Sequence, residues 1–339
     1  YIGLYCPSPA FIHAWDQNIE YMAASEYYSF KENNKYGIWT AYKRNKNEWQ
    51  HVQDSLFSHL NLDNQTAVSS LSYRSLLKAI LVRTKESLWD ESGKHPATFY
   101  RDWYDTTEAA GAVMHQKDPE NLLQEKIILR YFKSPAVVDY QYAVLLDDAL
   151  SERNPTNLIQ IYQRFKRRFP HSPYLRWIEP AMRTVAAHEQ RRLNAKMVFA
   201  PENGAKLHSW EDVLTLVKGK TVLLDMWGTW CGPCRQQIEK NNKAIHDHFK
   251  GKGLDYLYIA SYDEQRPDVW KKMIAYFNLE GTHVLANKDL TKDVLAKVKG
   301  TGFPTYVVIK RDGTFALSKA GFPMKREMLI QQLEEALAK

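Results

Sequence analysis

The sequence is poor in cysteine and has no long apolar run. Its 339 residues include only three Cys, too few for a small scaffold built on disulfides. Because two of them form one Cys-x-x-Cys and no second pair exists, a closed zinc site is also disfavoured. No apolar run approaches the roughly 20 residues that cross a bilayer. These absences exclude a membrane-spanning segment in this chain and favour redox chemistry for the cysteine pair.

The chain also lacks a concentrated basic region. Its net charge is +7, with an excess of three positive charges in residues 1–199 and of four in residues 200–339. Nucleic-acid binders cluster their basic residues on one face. The densest basic run here, Arg164–Arg168, lies on a predicted helix where water solvates its cations. We therefore expect no nucleic-acid partner.

Two expectations concern the beginning of the chain. The first residue is Tyr1 rather than Met, so we expect that an upstream segment was removed. A signal peptide or lipid anchor would have gone with it. The third cysteine, Cys6, is expected to be a buried or incidental thiol rather than a catalytic group.

Residues 1–192 have the pattern of an all-α domain, and the chain is long enough for two domains. Apolar residues recur there at spacings of three and four. Ser134-Pro135 and Ser172-Pro173 each fit an N-cap followed by Pro at the first helical position. The distance between these two starts along the chain is close to the period of helical-hairpin repeats. Residues 162–174 resemble tetratricopeptide-type sequence. The sequence predicts a helical domain that is in part a helical-hairpin array. It does not predict the topology of that domain.

Residues 193–339 alternate between strands and helices. Asp312-Gly313 suits a hairpin turn between the last two strands. The pattern predicts an α/β domain, with a mixed central sheet and helices on both faces. The predicted strands are 221–228, 254–262, 305–310 and 315–319 with a short extended piece near 283–285, and the predicted helices are 231–249, 267–279, 290–298 and 324–338.

The run Trp230-Cys231-Gly232-Pro233-Cys234 lies where a predicted strand gives way to a helix. Free backbone amides and the positive end of the helix dipole stabilise a thiolate at this position. Cys234 falls on the helical stripe that faces the core, whereas Cys231 precedes that stripe. We predict that Cys231 is the exposed attacking thiol and that Cys234 is the shielded resolving thiol.

Asp225 interrupts an otherwise apolar strand six residues before Cys231. A carboxylate buried in such a strand must be paired, hydrogen-bonded or protonated, and desolvation raises its pKa. We expect it beneath the thiols, where it would take the proton of Cys234 through a water. The alternative, a carboxylate satisfied by a lysine or a backbone amide, stays open.

Residues 223–235 resemble the active-site segment of thioredoxins. The run Gly302-Phe303-Pro304-Thr305 resembles their cis-proline loop, and Gly321 matches the glycine after their last strand. With the insert between residues 264 and 300, the pattern is most similar to the TlpA-like and ResA-like thiol-disulfide oxidoreductases of bacteria, which act outside the cytoplasmic membrane.

The resemblance implies roles for single residues. It makes Asp225 the buried acid and Pro304 the cis proline packed against the disulfide, with the backbone beside Pro304 pairing with the client chain. On physical grounds alone Pro304 is free to be trans. The other implied site residues are the redox pair Cys231 and Cys234, the flanking Trp227 and Trp230, and Gly232, Pro233 and Phe303.

Three positions depart from the family pattern. Gln237 stands where cytochrome-maturation members of the ResA type often carry Glu, which weakens a cytochrome-specific role. Glu239 replaces the proline that kinks this helix in many thioredoxins. Phe303 is bulkier than the usual residue before the cis proline and would narrow the client groove.

The predicted function is a thiol-disulfide oxidoreductase of the bacterial periplasm or cell envelope that reduces client protein disulfides. It needs no cofactor beyond the Cys231–Cys234 disulfide and no metal, because His246 and His248 do not face one another on a helix. Its expected partners are client disulfides and an electron-donor thiol protein, with a homo-oligomer through the helical domain. The alternative is a partner-binding or redox-sensing envelope protein with little turnover, in which the helical domain recognises the partner.

Overall fold

The computed structural model describes residues 7–34 and 36–338. The chain divides into two compact units, one formed by Tyr1–Asp148 and Thr156–Pro180 and the other by Ala149–Pro155 and Ala181–Lys339. The boundary between residues 192 and 193 stays a prediction. Cys6 lies outside the described residues.

The first unit is helical, as the apolar spacing predicts. Among the described residues, no helix is long and apolar enough to cross a membrane. In chain order the helices are α1 (Pro9–Asn34), α2 (Trp39–Arg44), α3 (Lys46–Phe57), α4 (Leu71–Lys94), α5 (Pro96–Tyr104), α6 (Glu108–Lys117), α7 (Asn121–Tyr131), α8 (Pro135–Ser151), α9 (Leu158–Arg168) and α10 (Leu175–Glu189), with a 3-10 turn at Gln65–Ser69.

The two Ser-Pro pairs start their helices differently. Helix α8 begins at Pro135, as predicted. Helix α10 begins only at Leu175, because the hydroxyl of Ser172 accepts a hydrogen bond from the Tyr174 amide and closes a turn instead. The predicted start at Pro173 is therefore wrong by two residues.

The second unit is built on one six-stranded sheet with the order β1-β4-β3-β2-β5-β6. Strand β2 is parallel to β3 and antiparallel to β5, so the sheet is mixed as predicted. The strands are β1 (Met197–Phe199), β2 (Thr221–Trp227), β3 (Leu254–Ser261), β4 (Gly281–Ala286), β5 (Thr305–Ile309) and β6 (Phe315–Leu317), and the helices are α11 (Trp210–Leu216), α12 (Gly232–Phe249), α13 (Pro267–Phe277), α14 (Lys288–Val298) and α15 (Arg326–Leu337).

Two elements of this unit were not predicted. Strand β1 is only three residues long, too short to show a period, and its pairing partner β4 lies more than 80 residues away in sequence. Helix α11 is also short, although Ser209 and Asp212 form a capping box at its start. That box is a sequence signal for a helix start.

Strand β2 lies at the centre of the core, and all seven of its residues are buried. Leu224 and Met226 pack on one face of the sheet with residues of α11 and α14. Leu223 packs on the opposite face with residues of α12 and α15. The prediction of helices on both faces is confirmed. Strand β2 ends four residues before Cys231, so the cysteine pair directly follows the centre of this core.

Candidate active site

The two cysteines of the Cys-x-x-Cys run form a disulfide at the start of α12. Cys231 is the N-cap, and its sulfur accepts a hydrogen bond from the Cys234 amide at 3.1 Å. Pro233 lies in the first turn, where its missing N–H costs no helical hydrogen bond. The helix thus directs its free amides and positive dipole end at Sγ of Cys231.

Exposure does not separate the two thiols. Cys231 is 3% exposed and Cys234 1%, so the expectation of an exposed Cys231 is wrong in the disulfide form. The surrounding chain encloses both residues, and that enclosure is a tertiary property that the phase of a helix does not record. The difference between the cysteines lies in helix position, since Cys231 precedes the helix and Cys234 is inside it.

A buried polar network holds the loop that precedes Cys231. Thr229 donates to Asp263 from its amide at 2.7 Å and from its hydroxyl at 2.6 Å. Arg266 forms an ion pair with the same carboxylate at 2.8 Å. Burial raises the pKa of Asp263, while Thr229 and Arg266 act against that rise. On α12, Arg235 is almost fully buried and donates to the Thr229 carbonyl.

Sequence reasoning missed Asp263, Arg266 and Arg235 as parts of the site. A signal for Asp263 was present, because it follows β3, the strand parallel to β2. The carboxyl ends of parallel strands meet at one edge of a sheet, where sites commonly form. Arg235 directly follows the second cysteine, but its burial is a tertiary property.

Asp225 lies in the middle of β2, flanked in register by Tyr258 on β3 and Tyr306 on β5. Burial raises the pKa of its carboxyl group to about 8. Its Oδ1 atom and the Tyr306 hydroxyl have no hydrogen-bond partner among residues 7–34 and 36–338. Both residues line a cavity of about 20 Å³ with Gln237 and Asn241, which is large enough for one water.

The side chains of the His-x-His pair reach different partners. Nε2 of His246 lies 3.0 Å from the Tyr258 hydroxyl, whereas Nε2 of His248 lies 2.8 Å from a Glu334 carboxylate oxygen. Burial lowers the pKa of His246 to about 4. Within the described part of the chain, no group of three His, Cys, Asp or Glu could hold a metal ion.

Aromatic side chains surround the approach to the cysteines. Trp230 is 39% exposed, and its indole N–H donates to the Ser261 carbonyl. Its ring lies 5.5 Å from the Phe303 ring and 6.2 Å from the Tyr262 ring. Tyr262 has a φ of +61°, a conformation that bulky residues rarely adopt. The peptide bond between Phe303 and Pro304 is cis.

Two other residues singled out in the sequence, Trp227 and Gln237, are buried. Trp227 is fully buried at the end of β2. Oε1 of Gln237 accepts hydrogen bonds from the Asn241 side chain and from the Met324 amide. Gln237 therefore links α12 to the segment before α15, next to the cavity at Asp225.

Comparison with known proteins agrees with this geometry. Residues 219–315 match the family model described as thioredoxin-like. The C-terminal unit carries a thioredoxin-like domain. The chain is 31% identical over 125 residues to the thiol-disulfide oxidoreductase ResA of Bacillus thuringiensis, an alignment that covers 36% of this chain and 64% of that relative. It is 28% identical over 137 residues to the thioredoxin-like protein YneN of Bacillus subtilis, covering 38% of this chain and 74% of YneN.

A solved structure is also similar to this thioredoxin-like domain. The solution structure of a thiol:disulfide interchange protein from a Bacteroides species is 26% identical, with a TM-score of 0.31, and covers 37% of this chain and 78% of its own. The predicted resemblance of the C-terminal part to thioredoxin-like and ResA-like proteins is confirmed for the matched residues. This chain spans less than two thirds of the length of the first ResA relative.

The raised pKa of Asp225 predicts a pH-dependent cost in stability. Below the unfolded-state pKa near 4 the carboxyl is protonated in both states, so Asp225→Asn changes the free energy of unfolding little by this route. Between pH 4 and 8 the unfolded state ionises first and is favoured. The variant should therefore gain stability over the oxidised wild type as the pH rises, reaching on the order of 4 kcal/mol at neutral pH.

The measurement is urea denaturation across this pH range. Hydrogen exchange of the β2 and β3 amides monitors it, so that the free energy of unfolding is that of the C-terminal unit alone. The matched control is Asp255→Asn, which removes an exposed carboxylate paired with Lys220 on the same sheet. A difference between wild type and Asp225→Asn that does not grow with pH would contradict the raised pKa.

Proposed function

We propose that this chain is a thiol-disulfide oxidoreductase that reduces the disulfides of client proteins. The observation that carries the proposal is the Cys231–Cys234 disulfide at the start of α12, within a thioredoxin-like domain. The relatives named thiol-disulfide oxidoreductase support it. The proposed cycle uses the disulfide alone, with no metal and no organic cofactor.

In the proposed reaction the thiolate of Cys231 attacks a client disulfide. A mixed disulfide forms between Cys231 and one client sulfur, and the other client sulfur leaves as a thiolate. Cys234 then loses its proton and attacks Sγ of Cys231, which releases the second client thiolate. The client gains two electrons and the protein loses two, to be restored by a dithiol donor protein.

Asp225 is the proposed acceptor of the Cys234 proton. Its Oδ1 atom has no hydrogen-bond partner among the described residues, and the cavity beside it, which α12 also lines, is large enough for one water. With a pKa near 8 this carboxyl group is ionised in a minor fraction of molecules at neutral pH, and that ionised form is basic enough to take a proton from a thiol. The same residue as a free, solvated carboxylate would be too weak a base for this step.

The proposed client groove runs beside Pro304 and the aromatic side chains around it. The backbone next to Pro304 would pair with the extended client chain, and Trp230, Tyr262 and Phe303 would contact its side chains. Their partial exposure and mutual ring contacts support this assignment.

The cellular setting is part of the proposal. We assign the chain to the bacterial periplasm or cell envelope on the strength of its resemblance to ResA-like proteins. The helical unit would supply a docking surface for clients or a contact between copies of the chain. An exposed apolar stripe on α1 supports that role, comprising Phe11, Trp15, Ile19 and Met22.

Reduction of insulin in the presence of dithiothreitol tests the enzymatic reading. Wild-type protein should accelerate precipitation of the insulin chains, and Cys231→Ser should abolish the acceleration because the attacking thiolate is gone. If the two proteins behave alike, the chain is not a disulfide reductase, and a binding or sensing role takes its place.

Trapping tests the roles of the two cysteines. Cys234→Ser cannot resolve the mixed disulfide, so exposure to cell-envelope extract should give covalent adducts through Cys231, identified by mass spectrometry. Cys231→Ser is the matched control and should trap little. Adducts through Cys6 in the trapping variant, or through Cys234 in the control, would contradict the assigned order of attack.

Asp225→Asn should slow the resolving step in single-turnover experiments, by on the order of 100-fold near neutral pH. The gap should narrow at high pH, where Cys234 ionises without help. Asp255→Asn should leave the rate unchanged. An unaltered pH profile in Asp225→Asn would remove this carboxyl from the mechanism and leave the cysteine cycle standing.

A further inference from the structure

The segment Ala149–Pro155 belongs to the same unit as the cysteine pair and lies on the first turn of α12. The Ser151 carbonyl accepts a hydrogen bond from the side chain of Gln236 at 3.0 Å. The Glu152 carbonyl accepts one from Nε of Arg235 at 2.8 Å. Since Arg235 also donates to the Thr229 carbonyl, one buried guanidinium joins this segment to the loop before Cys231.

The end of α8 holds Glu152 in place. The Asn154 amide donates to the Ala149 carbonyl, and the Arg153 amide donates to the Leu150 carbonyl. Arg153 has a φ of +53°. These are the two hydrogen bonds and the left-handed residue of a Schellman motif. Glu152 is therefore the C-cap, directly after Ser151, and its side chain starts from a fixed backbone.

The Glu152 carboxylate lies against Gly232, the residue after Cys231. A Cβ atom at position 232 would overlap Oε2 of Glu152, and the carboxylate carbon would be 3.0 Å from it. Gly232 therefore leaves the space that the carboxylate occupies. A negative charge thus lies in the first turn of α12, within the Cys-x-x-Cys run.

We propose that Glu152 is a positioning residue for the redox pair, which disfavours the Cys231 thiolate and so keeps the dithiol form strongly reducing. The helix end and Arg235 stabilise a thiolate here, and a like charge beside Gly232 opposes them. A less stable thiolate makes the reduced form a better electron donor, the reverse of the stabilised reduced form that makes a strong oxidant. The inference rests on the proposed function, because it concerns the direction of disulfide exchange.

Other charged groups face this region as well. Asp225 is buried in the middle of β2, and Asp263, with its partner Arg266, accepts hydrogen bonds from Thr229. Arg235 is the nearest cation on α12 itself. Asp263 and Arg266 form an ion pair that compensates both charges, and Asp225 is protonated at neutral pH when the disulfide is closed. Glu152 is the exposed member of this set, so salt screens its effect.

Glu152→Gln tests the proposal because it removes the charge and keeps the carbonyl that Arg235 binds. In a Cys6→Ser background, the thiolate absorbance of reduced protein should show a Cys231 pKa lower by roughly half a unit. Above that pKa, the equilibrium with glutathione should shift about threefold toward the dithiol. Both differences should shrink at high salt.

The matched control is Glu335→Gln on α15. His248, near the far end of α12 from Cys231, is paired with the adjacent Glu334, so Glu335 lies about the length of that helix away. Thermal unfolding of both variants checks that each folds.

A Glu152→Gln protein with the wild-type Cys231 pKa and glutathione equilibrium would overturn the proposal, as would equal shifts in both variants. Neither measurement requires turnover of a client. A failure of wild-type protein to reduce insulin would refute the proposed function while leaving the effect of Glu152 measurable.

Discussion

The burial of β2 on both faces is the constraint on which the rest of the C-terminal unit depends. Because each side chain of this strand is removed from water, the strand cannot be displaced without opening both halves of the core. It therefore holds its last residue, Trp227, rigidly at the edge of the sheet. The cysteine pair follows within a few residues, so its position is set by the packing of the whole unit.

The same burial gives Asp225 its chemical character. A carboxyl group in water is ionised at neutral pH, whereas this one has lost its hydration and keeps its proton up to a pH of about 8. Among the described residues no group, including the neighbouring Tyr258 and Tyr306, donates a hydrogen bond to its Oδ1 atom. The proposed proton transfer from Cys234 gives this costly buried acid a function.

Opposing charges meet at the start of α12. The free amides, the dipole and Arg235 favour a thiolate, and the carboxylate of Glu152 opposes it. Arg235 is structural at the same time, because it binds the carbonyls of Thr229 and Glu152. Redox tuning and loop geometry therefore depend on one another at this site, and a change to Arg235 would disturb both.

Much of the thioredoxin-like domain was predictable because its signals are local. Strand β2 is mostly apolar, and α12 begins within the Cys-Gly-Pro-Cys run, which suits a helix start. The short strand β1 had no such signal, since it is specified by pairing with β4 and not by its own three residues. The start of α10 was misplaced because a Ser-Pro pair suits a turn as well as a helix.

The redox pair, the buried acid and most strands and helices of the C-terminal unit could be predicted, since each depends on residues close together along the chain. The burial of Cys231, the anchoring of its loop by Asp263 and Arg266 and the cavity beside Asp225 could not. Only the tertiary structure brought Glu152 to Gly232, across about 80 residues of sequence. Contacts of that range depend on packing between elements, which no local pattern records.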